Sequence, residues 1–301
     1  MNENFPEIPL AAWKPTKNTL HLYCQIVGKI RLGLHPKLNH WWHVPLYVTP
    51  RGLSTHTIPC RYGSFEIEFD LREHKLVIRT GDGRIENFAL YDGLSVADFY
   101  HSVMANLSKL GIVATIRPTP YEAPSTTPFP EDTANCSYDR EFIEKAHRTL
   151  LTVDRIFNEF RGRFLGKSTP VHMFWHSFDL ALTRFSGKRV TVREEANQVE
   201  REAYSHEVIS FGFWFGDDNV PDPAFYSYTA PEPLGLADEP LSPAAATWQE
   251  ANGSHLALLM YDDVRMSKAP DDDVLNFLES AYHAGARRSG WNMDEFVAGV
   301  R

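Results

Sequence analysis

Between positions 118 and 137 the chain carries prolines at 118, 120, 124, 128 and 130. Proline fixes φ and lacks an amide donor, so such a stretch is neither a helix interior nor a sheet centre. It reads as an extended connector. It divides the chain into a first half at 1–117, a connector at 118–137 and a second half at 138–301, expected to form one compact unit.

The two halves show the same order of hydrophobic periodicities. In the first, Tyr23, Ile26, Val27, Ile30 and Leu34 recur at 3.6-residue spacing and predict a helix at about 19–34, stopped by Pro36. Short strands follow in VPLYVT, SFEIEFD, HKLVIRT and RIENFAL, with Phe65, Ile67 and Phe69 alternating. The turn TGDGR joins the last two as a hairpin, because Asp-Gly tolerates positive φ. A second helix is expected at 95–110, capped by Ser95 and closed by Gly111. VATIR reads as a final strand.

After the connector come a helix at 140–165, strands at about 172–185, 204–215, 224–229 and 256–262, and a helix from Asp271 to Ser289. HWWHVPLYVTPR aligns with MFWHSFDLALTR at a constant offset of 133, pairing Trp42 with Trp175, His43 with His176 and Arg51 with Arg184. SFEIEFD resembles SHEVISF, pairing Ser64 with Ser205 and Glu66 with Glu207. The expected fold is α+β: two related halves, each a helix, four antiparallel strands and a helix, fused as a pseudo-dimer around a central cleft. Pockets favour such interfaces.

The chain has 301 residues, 43% of them apolar, and a formal charge of −9. That balance excludes a disordered or fibrous chain and opposes binding to nucleic acid or an anionic membrane. No apolar run nears the roughly 20 residues that span a bilayer. The N-terminus lacks a basic-then-apolar leader. Cys24, Cys60 and Cys136 are scattered and odd in number, which suits a reducing cytoplasm.

NHWWHVPLYV, FEIEFD, HSFDLALTRFSG, AYSHE and FYSY, with the helix TLHLYCQIVGKIRL, resemble a bacterial family catalogued only as a domain of unknown function. The resemblance runs from about Pro9 to Trp291 and implies no activity, cofactor or catalytic residue.

The residues that could carry chemistry are therefore read directly. His172 and His176 share a face whether on a strand or a helix. With His206 or Glu207, which point to opposite faces of one strand, they could form a metal site. Two His and a Glu would suit iron, and three His zinc. The spacing is not that of HExxH. His40 and His43 in NHWWHV form a second cluster. His43, His176 and His206 are candidate acid–base groups, since imidazole titrates near neutrality. Non-covalent haem in an aromatic cleft is a further possibility. Arg184 could hold a carboxylate or phosphate.

Alternation along 204–215 puts Tyr204, His206, Val208, Ser210, Gly212 and Trp214 on one face, with Tyr226 and Tyr228 extending it on the next strand. Hydroxyls, an imidazole and an indole there read as the wall of a pocket. Trp42 is a further candidate for binding the substrate. The leading expectation is a cytoplasmic enzyme acting on a small aromatic or carboxylate-bearing molecule, with a divalent metal (zinc or iron) or histidine acid–base catalysis. The rival is a non-catalytic module binding haem or a hydrophobic metabolite. A third reading makes the aromatics an interface centred on Trp214. The substrate and the oligomeric state stay open.

Overall fold

A computed structural model of the chain describes residues 3–60, 63–123, 125–191, 195–251 and 253–297. The fold is α+β, with two open antiparallel sheets and helices packed on one face of each. The first sheet contains β1 (Tyr47–Thr49), β2 (Gly52–Ser54), β3 (Ile58–Cys60), β4 (Gly63–Asp70), β5 (Lys75–Thr80) and β6 (Ile85–Ala89). Its order is β1-β2-β4-β5-β6, with β3 also paired to β4. The second contains β7 (His172–Phe174), β8 (Asp179–Arg189), β9 (His206–Trp214), β10 (Ala224–Ala230), β11 (Thr247–Ala251) and β12 (Ser254–Met260), in the order β11-β12-β10-β9-β8-β7. Each sheet thus has six strands rather than the expected four.

Helix α1 (Leu10–Leu34) begins nine residues before the periodicity suggests. Pro15 lies inside it, where the ring costs only the bond to the carbonyl of Ala11, an exposed residue. Helix α2 (Val96–Lys109) is capped as expected, Ser95 Oγ accepting from the Asp98 amide at 3.0 Å. Helices α3 (Arg140–Gly162) and α6 (Pro270–Arg288) also match the periodicity. The short helices α4 (Gln198–Ala203) and α5 (Tyr261–Arg265) do not announce themselves. VATIR is irregular.

One apolar core runs through both halves. On β4, Phe65, Ile67 and Phe69 are buried; on β9, Ile209, Phe211 and Phe213 are. The connector is strapped down rather than free. Phe129 is wholly buried, Phe129 N donates to Pro118 O, and Lys29 Nζ donates to Thr119 O. Pro124 lies outside the described residues.

The halves join edge to edge. Leu46 and Met173 exchange both backbone hydrogen bonds at 2.9 Å. The Trp175 indole lies on Gly28 of α1, where a Cβ would stand 2.1 Å from the ring. The offset of 133 does not survive as structural equivalence. HMFWHSFDLALTR is a hairpin, not one strand: Trp175 to Phe178 form its turn. Trp42 and His43 precede β1, whereas Trp175 and His176 follow β7. Arg51 sits in the β1–β2 turn, paired with Asp70 at 2.6 Å, while Arg184 is mid-strand in β8.

Candidate functional site

Strand β9 separates two environments. Its odd positions meet α3 and α6, and its even positions Val208, Ser210, Gly212 and Trp214 face the other way. Register carries that second face across the sheet. Gly212 stands between Ala181 and Tyr226, and Ser210 between Thr183 and Tyr228. Gly212 is where a side chain is impossible, since a Cβ would lie 2.2 Å from the Tyr226 ring. The phenol therefore crosses the strand and donates to Asp179 Oδ2, while Ser177 donates to Oδ1.

Asp179 is buried, and among the described residues no Lys, Arg or His forms an ion pair with it. Neutral hydroxyls hold it. Burial, then the Asp179 charge, pushes the Tyr226 phenol well above its ordinary value. Tyr228 stacks beside it with ring centroids 6.3 Å apart, and its hydroxyl meets that of Tyr204 at 3.0 Å. Burial likewise raises Tyr228. Thr183 and Ser210 share a hydrogen bond at 3.0 Å. Both phenols thus stay protonated near neutrality, the Tyr226 proton being committed to Asp179.

The tyrosine end of this face opens into a cavity of about 540 Å³ lined by Glu200, Tyr204, Tyr228, Glu232, Ser254 and His255, among others. Among the described residues no Lys or Arg lines it. Glu232 is the organising residue. One oxygen accepts the His255 amide at 2.6 Å and the other meets His255 Nδ1 at 2.6 Å. A carboxylate at Nδ1 favours the proton there, so that in the neutral ring Nε2 carries the lone pair. This is the arrangement that makes an imidazole a general base.

The residues singled out by sequence are only partly gathered. Tyr204, Trp214, Tyr226 and Tyr228 share the hydroxyl-bearing face, and Tyr204 and Tyr228 line the cavity. His206 lies beyond it, with Nδ1 3.0 Å from Ser205 Oγ and its ring 5.6 Å from that of His40. Trp42 stands between His172 and Phe185, 6.3 and 6.2 Å away.

His172 and His176 do not share a strand face, because the hairpin turn intervenes. His172 is 1% exposed with neither ring nitrogen hydrogen-bonded, and burial, with Arg31 and Arg161 adding to it, lowers its pKa to about 3. His176 sits in the turn beside Phe174 and Tyr121. His43 is buried, stacked on Trp41, and accepts from the Leu38 amide at 3.2 Å. Glu207 faces Lys188 at 4.0 Å on the opposite side of β9 from Ser210. Among the described residues no three His, Cys, Asp or Glu side chains gather as a metal would need, so His172, His176, His206 and Glu207 do not make one ligand set.

Arg184 is also placed elsewhere. It lies on the helix face of β8, 1% exposed, with its guanidinium carbon 3.5 Å from the Phe160 ring centroid and 4.5 Å from that of Tyr282. Nη2 donates to Phe160 O at 2.6 Å. The sheet separates it from the tyrosines. Sequence reasoning missed Glu232 and His255, which flank unpatterned loops and meet only because β10 pairs with β12.

A family model described as a family of unknown function, DUF5996, matches residues 5–298. No curated protein and no solved structure matches the chain.

Proposed function

The chain belongs to the DUF5996 family, and because that membership names no reaction, we propose from the geometry that it is an enzyme taking a small aromatic molecule into the Tyr204–Tyr228 cavity. His255, oriented by Glu232, moves a proton on that molecule. The observation that carries this is the pair of 2.6 Å contacts from Glu232 to the ring and the backbone of His255. Among the described lining residues the charged side chains are Glu200 and Glu232, which favours a neutral or cationic group over a carboxylate. Tyr228 and Tyr204 supply hydroxyls and ring faces for orientation.

The same reading takes the two sheets as halves of an internal duplication. Its support is that each half carries one six-stranded antiparallel sheet and that the two sheets meet at the Leu46–Met173 bridge. A cytoplasmic setting is supported by three free cysteines. No helix among the described residues is long and apolar enough to cross a membrane.

The test is a panel of phenols, anilines and indoles, followed by thermal shift and by product analysis. Stabilisation that disappears in Tyr228→Ala supports the site. Turnover lost in His255→Gln, with binding kept, supports the enzyme. Binding without turnover in the unaltered protein would make the cavity a non-catalytic binding site, and no stabilisation by any member would remove the reading.

A further inference from the structure

A second cluster lies on the other side of α4, around a turn with unusual backbone. His40 and Trp41 are consecutive non-glycine residues at φ 54° and 61°. L-residues rarely adopt that region, and where they do the surroundings must hold them. Here the surroundings fix one imidazole. His40 is buried, and its Nδ1–H donates to the Glu202 carbonyl at 3.0 Å. Nε2 is thereby left as the acceptor, and Lys167 Nζ donates to it at 2.8 Å.

Lys167 is an exposed residue, and an exposed lysine ordinarily aims its ammonium at water or at a carboxylate. This one is turned inward. Among the described residues it forms no ion pair. Its nitrogen lies 5.5 Å from the Trp42 ring centroid and 5.0 Å from that of Phe185. The backbone is anchored, Lys167 O accepting from Phe185 N at 2.9 Å. Burial against the rings lowers the amine's pKa, as it does that of His40. A partly desolvated amine, held against an acceptor imidazole and reachable from solvent, has the arrangement of a nucleophilic lysine.

We propose that Lys167 condenses with the carbonyl group of a small aromatic aldehyde or ketone, with His40 as its proton acceptor. The amine lone pair forms the C–N bond while the carbonyl π pair moves onto oxygen, which takes one proton from solvent, so that the product is the protonated C=N–H linkage. Nitrogen gives a proton to His40 Nε2. The nitrogen lone pair then forms C=N as the C–O bond breaks, and His40 returns its proton to the departing oxygen, which leaves as water. Nothing is oxidised or reduced. Trp42 and Phe185 provide the faces for the aromatic substituent. The inference does not depend on the cavity at Tyr228.

Benzaldehyde with cyanoborohydride as a trap tests it on the full chain. Peptide mapping is expected to show Lys167 modified at least about tenfold faster than the other lysines. That preference should be lost in Lys167→Arg and reduced about tenfold in His40→Asn, a residue that tolerates the left-handed backbone. Circular dichroism and the melting temperature establish that both variants fold. A variant that fails to fold is replaced by the pH profile of the unaltered chain, where Lys167 labelling must reach its plateau at lower pH than labelling elsewhere. Equal labelling of all lysines, a preference untouched in His40→Asn, or coincident pH profiles would overturn the proposal.

Discussion

Tyr226 lies across Gly212 of the neighbouring strand, with its ring in the space a Cβ would fill and its hydroxyl on Asp179. The position thus admits only glycine unless the phenol moves. Gly212→Ala is expected to lower stability by about 1–3 kcal/mol in urea unfolding, as overpacking does. Adding Tyr226→Ala should recover part of that loss. Additive losses would show that the two residues do not compete for the space.

Acid should weaken the protein through two buried imidazoles. Burial lowers His172 to about 3 and His21 to about 4, against an ordinary 6.5. Between those values the unfolded chain binds protons that the folded chain refuses. Stability is therefore full above pH 6.5 and falls as pH drops, by up to about 1.4 kcal/mol per unit for each histidine. In His172→Gln, denaturation curves between neutral pH and pH 4 should show a shallower decline. An unchanged slope would remove His172 as a source of acid lability.

Arg184 fills an aromatic cage behind the sheet. Arg184→Ala should cost about 2–5 kcal/mol by leaving a cavity, whereas Arg184→Met, keeping most of the volume, should cost under about 2. Neither should alter ligand affinity at the Tyr228 cavity. A specific loss of affinity in folded Arg184→Met would instead mean that the guanidinium reaches the ligand.

The four long helices, the Asp-Gly hairpin and the two faces of β9 were legible in the sequence because each rests on local periodicity or a turn residue. The break came where two short strands sit close together. HMFWHSFDLALTR reads as continuous apolar alternation, yet Phe178 adopts φ 58° and reverses the chain. One hidden turn undid the His172–His176 pairing and the offset of 133 together. For the site, Tyr226 and Tyr228 were visible through alternation, whereas Tyr204 precedes β9 at the end of α4 and reaches Tyr228 through its hydroxyl. Glu232 and His255 were not visible, because a pair separated by 23 residues is brought together only by cross-strand register. His40 and Lys167 were beyond reach for the same reason, at a separation of 127.

The central claim is that Glu232 makes His255 a base facing the cavity, and ¹⁵N spectroscopy of the His255 ring at mildly alkaline pH tests it most directly. The account predicts the proton on Nδ1 and an unprotonated Nε2, with Nε2 perturbed by a bound phenol or indole and the preference for Nδ1–H lost in Glu232→Gln. A proton on Nε2, or a ring indifferent both to Glu232 and to every ligand that stabilises the protein, would contradict it.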